Sequence, residues 1–286
     1  MSKEKIGFIG LGNMGKPMAE TLLRKGFDIW VNDLCEEPVT ELERLGAKSA
    51  KLAKEIGTLC DIIIVMVRNT AQTEALILGR DGILEGAKEG SLILLMNTVE
   101  PSFCQRIARI VAEKKVSLLD APVSGAPEGA RAGTLTIIVG GEEALLGKCR
   151  HVLEAMGKNI FHVGGIGTGQ VVKLVNNLAF YVNSSAVAEA TALGTKAGVE
   201  LERLLEVLTV STGNSWAAQN WPSYRERKVR EGDHIKSSYD VMRVIKSVAK
   251  DMGLHLPLLE FISQQDRLEV LKGTAFHSKM TNSEGK

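Results

Sequence analysis

A lysine among small and apolar residues asks for an explanation, and Lys173 in GTGQVVKLVNN (167–177) is such a residue. Burying an ammonium group costs free energy unless it is paired or its pKa falls. At α-helical spacing Gly169, Lys173 and Asn177 share one face. On this reading Gly169 leaves room above the lysine and Asn177 supplies an amide one turn on. Val171, Val172, Leu174 and Val175 would partly desolvate the amine and bring its pKa towards the range useful for general acid–base chemistry. The competing reading is a lysine that snorkels to solvent from an exposed face.

A second constellation lies at the start of the chain. GFIGLGNMGKPMAETLLRKG carries Gly10, Gly12 and Gly15 in G-x-G-x-x-G spacing, with Leu11, Asn13 and Met14 completing the loop. It follows an apolar strand and opens a helix, as the dinucleotide fingerprint requires. Gly10 permits the tight turn, Gly12 lets the backbone approach a pyrophosphate, and Gly15 allows close helix–strand packing. The helix N-terminus offers free N–H groups and partial positive charge. Asp33 ends the next strand about 20 residues on, where an acid accepts hydrogen bonds from ribose hydroxyls and repels a 2′-phosphate. No arginine follows directly in LCEEP, so the expected cofactor is NAD rather than NADP.

A third loop, DAPVSGAPEGARAGTLTIIVGG (120–141), passes through Ser124, Gly125, Ala126, Gly129 and Gly133. Small residues let backbone N–H groups face a ligand, and Ser124 adds a hydroxyl. Such a loop can hold a carboxylate without an arginine.

These groups need a scaffold. Continuous apolar runs at 5–10, 27–33, 61–67, 92–97, 116–123, 134–141 and 159–164 read as buried strands. Helical segments at 13–25, 36–46, 70–79 and 101–114 lie among the earlier ones. The alternation predicts a Rossmann-type, doubly wound α/β sheet domain over 1–165. From Gln170 to about Ala197 the sequence is helix-compatible and apolar on most faces, which predicts a long buried interdomain helix. Helices at 200–209, 214–220, 237–252 and 256–271 complete an all-α C-terminal domain over 166–286, with a frayed polar end from His277.

Composition narrows the class. The 286 residues are 44% hydrophobic and 24% charged, as expected of a globular protein of two domains. A net charge of +1 argues against nucleic-acid binding by electrostatics. RERKVREGDHIK (225–236) mixes signs without interleaved aromatics and reads as a solvated loop. Cys35, Cys60, Cys104 and Cys149 are far apart, as unpaired core thiols in a reducing cytoplasm would be. His151, His162, His234, His255 and His277 have no metal-ligand spacing, so no metal is expected. No leader peptide is expected, since the first strand begins by about residue 5, and no apolar run is long enough for a bilayer.

The three motifs, in this order, resemble those of the β-hydroxyacid dehydrogenase family, which includes 3-hydroxyisobutyrate dehydrogenases. GFIGLGNMG matches its cofactor motif, DAPVSG…GARAGTLTIIVGG its substrate motif and GTGQVVKLVNN its catalytic motif. The resemblance implies that Lys173 is the general acid/base and that Ser124, Gly125 and Ala126 bind the substrate carboxylate. Asn177 would hold the hydroxyl or carboxylate region. Met66, Val67 and Thr98 would face the cofactor, Thr98 near the nicotinamide. It also implies dimers or tetramers that bury the long helix. Several positions depart from the family pattern. Asn97-Thr98 replaces serine-threonine, Val67-Arg68 replaces leucine-proline, and Ala126 replaces a glycine. The late helix 237–253 lacks a clean Lys-Asp pair, Lys246 and Lys250-Asp251 being imperfect substitutes. Ser211, Asn214 and Trp216 in STGNSWAAQNW match a segment lining the substrate side.

The implied activity is reversible, NAD-linked oxidation of a small carboxylate-bearing β-hydroxyacid to its semialdehyde or ketone. The rivals are an NADPH-dependent aldehyde reductase of the glyoxylate/succinic semialdehyde type and a cofactor-binding module without catalysis.

Overall fold

The structure, a computed structural model, describes residues 4–231 and 235–272. The first part of the chain runs β1 (Lys5–Ile9), α1 (Gly15–Arg24), β2 (Asp28–Asn32), α2 (Glu36–Arg44), β3 (Lys48–Ser49), α3 (Ala53–Leu59), β4 (Ile62–Val65), α4 (Thr70–Leu78), α5 (Ile83–Gly86), β5 (Leu92–Leu95), α6 (Pro101–Ala112) and β6 (Ser117–Asp120). It continues through β7 (Val123–Ser124), α7 (Ala126–Ala132), β8 (Leu135–Val139), α8 (Glu143–Met156) and β9 (Gly157–His162) into α9 (Thr168–Lys196).

Six strands form one parallel sheet in the order β3-β2-β1-β4-β5-β6. Strands β4 and β5 are apolar at every residue because both faces are covered. Ile6, Phe8, Ile62, Ile64, Leu92 and Leu94 pack on one face with Met18 and Leu22 of α1. Ile9, Ile63, Val65, Ile93 and Leu95 pack on the other with Ile56, Phe103 and Ile107. The order reverses between β1 and β4, and such a switch point opens a crevice at the strands' C-terminal ends.

The last strands depart from the single-sheet expectation. The run 116–123 breaks at Ala121-Pro122, where proline has no N–H for a ladder. After the break the chain forms a second sheet, β7-β8-β9, with β7 antiparallel and β9 parallel to β8. An isolated bridge between Asp120 and Gly140 joins the two sheets. β9 is an edge strand, exposed over most of its length, not buried as its sequence suggests. Helices α3 and α8 also escape the sequence reading.

The chain divides into two compact units within α9, after Leu174. The second unit adds α10 (Leu201–Val210), α11 (Trp216–Gln219), α12 (Trp221–Glu231), α13 (Ile235–Asp251), α14 (Pro257–Gln264) and α15 (Arg267–Lys272). Its core gathers Val187, Ala188, Leu205, Ala217, Ala218, Trp221, Tyr224, Val270 and Leu271. The charged stretch expected as a loop is helical to Glu231, since its Arg, Glu and Lys are good helix formers and no breaker precedes Gly232. Residues 232–234 and the polar end from His277 lie outside the described residues. The helix expected over 256–271 is two helices, the second started by Asp266, whose carboxylate accepts the Glu269 amide at 3.2 Å.

α9 is continuous but not buried all round. Leu174, Asn177, Tyr181, Ser184, Ala188 and Thr191 form one buried stripe, while Val175 and Leu193 face solvent. Cys60, Cys104 and Cys149 are buried free thiols, with desolvation pushing Cys60 up to about 12 and Cys149 up to about 11. Cys35 is exposed and so is not the core residue its sequence suggests. No helix among the described residues is long and apolar enough to cross a membrane.

Thr21 shows how distant segments are held. It is buried in α1, with its hydroxyl 2.8 Å from the carbonyls of both Pro17 and Ala130, so it ties α1 to α7. Thr21→Val removes the hydroxyl that bonds α1 to the Ala130 carbonyl and should cost about 1–2 kcal/mol. In a thermal melt that corresponds to a fall of roughly 2–8 °C in Tm.

Candidate active site

The site is built where strands end. Gly10 closes β1 with φ +96°, and its amide donates to the Asn32 carbonyl at 3.0 Å. A Cβ there would lie 2.5 Å from the Met66 carbonyl, so only glycine lets the β1 and β4 ends meet so closely. A Cβ on Gly15 would lie 1.9 Å from the Gly10 carbonyl, so α1 starts directly against the strand it follows. A Cβ on Gly12 meets nothing within 4 Å, so this glycine borders open space. Asn13 is exposed beside it and Met14 half-buried. Leu11 is different: its side chain is in the core and its amide donates to Asp33 Oδ2 at 2.5 Å.

Asp33 Oδ1 accepts the Cys35 amide at 2.8 Å. Each carboxylate oxygen thus accepts one backbone amide and has a second lone pair, which could accept a ribose hydroxyl. Asp33 therefore also holds the glycine loop to the end of β2, a role not read from the sequence. Met66 and Val67 follow β4 half-buried, and Thr98 follows β5 half-buried. The donor set, the open approach at Gly12 and the free lone pairs of Asp33 fit a dinucleotide.

Ser124 and Gly125 lie between β7 and α7. Gly125 has φ +136° and Ala126 has φ +57°, a left-handed conformation that strains a residue with a Cβ. The helix N-terminus is a weaker anion cradle than expected. α7 has only seven residues, Pro127 lacks an N–H, and Glu128 puts negative charge in its first turn. The Ser124 hydroxyl and the amides of Gly125 and Ala126 remain as the donors of this turn.

Lys173 lies in the second turn of α9, half-buried, with Asn177 buried one turn further. Among the described residues no carboxylate pairs with Lys173. Desolvation lowers its pKa from 10.5 to about 8. Gly169 does not leave room for the lysine as the sequence suggests. A Cβ at Gly169 would lie 2.5 Å from the Ile138 carbonyl and 2.7 Å from Asp120 Oδ2, so the glycine serves the seating of α9 on the sheets.

Asp120 is the residue that sequence reasoning missed. It is fully buried; Oδ1 accepts the Gly167 amide at 2.6 Å and Oδ2 the Gln170 amide at 2.8 Å. Burial pushes its carboxyl up while those amides pull against the shift. An acid at a strand end just before a proline was the available signal.

Of the family-implied candidates in the second unit, Trp216 stacks edge-on against Phe180 and Tyr224, with centroids at 5.6 and 6.2 Å. Ser211 and Asn214 are exposed in the turn before α11, where the Asn214 amide donates to the Ser211 carbonyl. Lys246, Lys250 and Asp251 are exposed on α13. No metal-competent cluster of His, Cys, Asp or Glu occurs among the described residues.

Known proteins resemble this chain over most of its length. The profile of the NAD-binding domain of 6-phosphogluconate dehydrogenase matches residues 5–164. The profile described as the NAD-binding part of NADP-dependent 3-hydroxyisobutyrate dehydrogenase matches 167–282. The 2-(hydroxymethyl)glutarate dehydrogenase of Eubacterium barkeri is 41% identical over 88% of this chain and 81% of its own. The NAD-dependent L-serine dehydrogenase of Pseudomonas aeruginosa is 39% identical over 88% of this chain and 84% of its own. The crystal structure of a 3-hydroxyisobutyrate dehydrogenase from Salmonella typhimurium superposes with a TM-score of 0.82 at 29% identity, covering 94% of this chain and 99% of that one. Profiles that span both halves and relatives matched over most of their length agree: the chain belongs to the 3-hydroxyisobutyrate dehydrogenase-like family of NAD-binding oxidoreductases, the β-hydroxyacid dehydrogenases.

Proposed function

We propose that this NAD-dependent dehydrogenase reversibly oxidises a primary alcohol on the carbon β to a carboxylate, with Lys173 as the general base. The observation that carries the reading is the lysine itself: desolvated, without a carboxylate partner among the described residues, and with a pKa lowered to about 8. The substrates named for the relatives, 2-(hydroxymethyl)glutarate, L-serine and 3-hydroxyisobutyrate, share a CH2OH group next to the carbon that bears the carboxylate. They differ in the third substituent on that carbon.

NAD would supply the hydride acceptor when bound, and the loop Gly10–Gly15 and Asp33 would hold it, with Met66, Val67 and Thr98 beside it. Lys173 Nζ, neutral, takes the hydroxyl proton as the C–H hydride leaves, and the alcohol becomes an aldehyde. In reduction the ammonium returns that proton. Asn177, one turn on, orients the hydroxyl. Ser124 and the Gly125 and Ala126 amides bind the carboxylate. Asp33, with no arginine after it, favours NAD over NADP. Three buried thiols suit a cytoplasmic setting.

With these three hydroxyacids and either cofactor, wild type should produce NADH from at least one acid, and do so faster than NADPH. A clear preference for NADPH and aldehydes would support the reductase reading. Lys173→Met should lose about 10²–10⁴-fold in kcat while still binding NADH. Because the base must be neutral, oxidation should rise with pH through about 8 and reduction should fall through it. A pH profile without that inflection would count against Lys173.

Ala126 makes a separate prediction. Ala126→Gly removes the left-handed strain at φ +57° and should raise stability by about 0.5–1 kcal/mol in urea unfolding. It should also widen tolerance for the third substituent, since the Cβ narrows the carboxylate turn.

The second unit exposes Leu193, Val207, Val210, Leu258 and Phe261. A homodimer or homotetramer covers such residues, and light scattering should return two or four times the chain mass of 30.9 kDa. A monomer at micromolar concentration would overturn that assembly.

A further inference from the structure

Gln170 lies three residues before Lys173 on α9 and has no exposed surface. Its side chain leaves the helix for the segment after β5. Nε2 donates to the Asn97 carbonyl at 2.8 Å, and Oε1 accepts the Val99 amide at 3.1 Å. Those two backbone groups flank Thr98. The Gln170 amide meanwhile donates to Asp120 Oδ2. One residue thus joins three segments: the end of β5, the end of β6 and the first turn of α9.

The far side of the Thr98 segment is held as well. Asn97 Nδ2 donates to Thr73 Oγ1 at 2.7 Å, and Thr73 donates to the Asn69 carbonyl at 2.8 Å. Asn69 in turn caps α4, accepting the Gln72 amide at 2.9 Å. The only adjustable link between the Thr98 segment and the helix bearing Lys173 that these bonds define is the Gln170 side chain.

We propose that Gln170 is a positioning residue, which sets the lysine's distance and orientation relative to the Thr98 segment and hence to the cofactor beside it. This inference rests on Lys173 being the base. Its chemistry is specific. The site needs one donor and one acceptor at fixed spacing, which a carboxamide supplies. An ionised carboxylate offers acceptors alone and faces the Asn97 carbonyl unfavourably. A thioether offers neither and orphans two buried backbone groups. Displacing a catalytic group by about 1 Å can cost about 10²-fold in rate.

The test compares full-length wild type, Gln170→Met, Gln170→Glu and Lys173→Met. The probes are NAD and the three hydroxyacids, with NADH affinity read by fluorescence and folding by thermal melts. Gln170→Met should lower kcat by about 10–100-fold, with the NADH Kd and hydroxyacid KM within about threefold of wild type. A substrate deuterated at its CH2OH carbon should show a larger isotope effect on kcat, because a misplaced base slows the chemical step. Gln170→Glu should be impaired at high pH, and its reduction rate as a fraction of the wild-type rate at the same pH should rise as pH falls, when the protonated carboxyl donates again. That recovery also decides the matter if Gln170→Met fails to fold. Folded variants with kcat within about twofold of wild type would overturn the proposal, as would a loss that follows NADH affinity alone. If Lys173→Met keeps its rate, the catalytic reading fails first and this proposal with it; if only Lys173→Met loses rate, the catalytic reading stands and the positioning role fails.

Discussion

The buried carboxylate of Asp120 is the constraint on which the catalytic end of the molecule depends. An ion without solvent is costly unless donors replace the water. Here the donors are backbone amides at the start of α9, groups that a helix otherwise leaves unsatisfied. The carboxylate and the helix N-terminus solve each other's problem, and the helix dipole adds to the attraction. Burial still pushes the carboxyl upward, so the balance is close. One consequence is that α9 must start where β6 ends. Its second turn, with Lys173, is thereby placed by the sheet. The glycines at 140 and 169 follow from the same constraint, since a Cβ at either would run into the Asp120 carboxylate.

Asp33 applies the same physics more mildly at the other end of the site. Two amides hold its carboxylate, one from the glycine loop and one from the start of α2. It remains half-exposed. One acid has no exposed surface and the other stays half-exposed, and burial separates the two. The lysine sits between these extremes. It is desolvated enough to drop its pKa to about 8, with no carboxylate among the described residues to raise it again. A paired lysine would stay protonated and could not accept a proton at neutral pH.

Ala126 adds strain next to this machinery. A left-handed alanine persists only where its surroundings impose it, and here the turn lies between β7 and α7, with α7 tied through Thr21 to α1. The turn at Gly125-Ala126 is therefore held by the same helix that follows the glycine loop.

Much of this was legible in the sequence. The glycine spacing, Asp33 and the continuous apolar strands determined a dinucleotide fold, because those signals are local: a positive φ, a helix start, a strand covered on both faces. The lysine's place on a long helix was equally local. Other features depended on partners far away along the chain. Gly169 looked like space for Lys173, yet it faces Asp120 and Ile138, more than thirty residues away. Asp120 and Gln170 looked ordinary because their partners lie 47 to 73 residues distant. The second sheet, the exposure of β9 and the one-sided burial of α9 were likewise decided by packing, since hydrophobic pattern does not say which neighbour covers a face. Sequence by itself determined which groups are available; tertiary structure decided which are desolvated and bonded to one another, because burial and hydrogen-bond pairing are properties of contacts between segments.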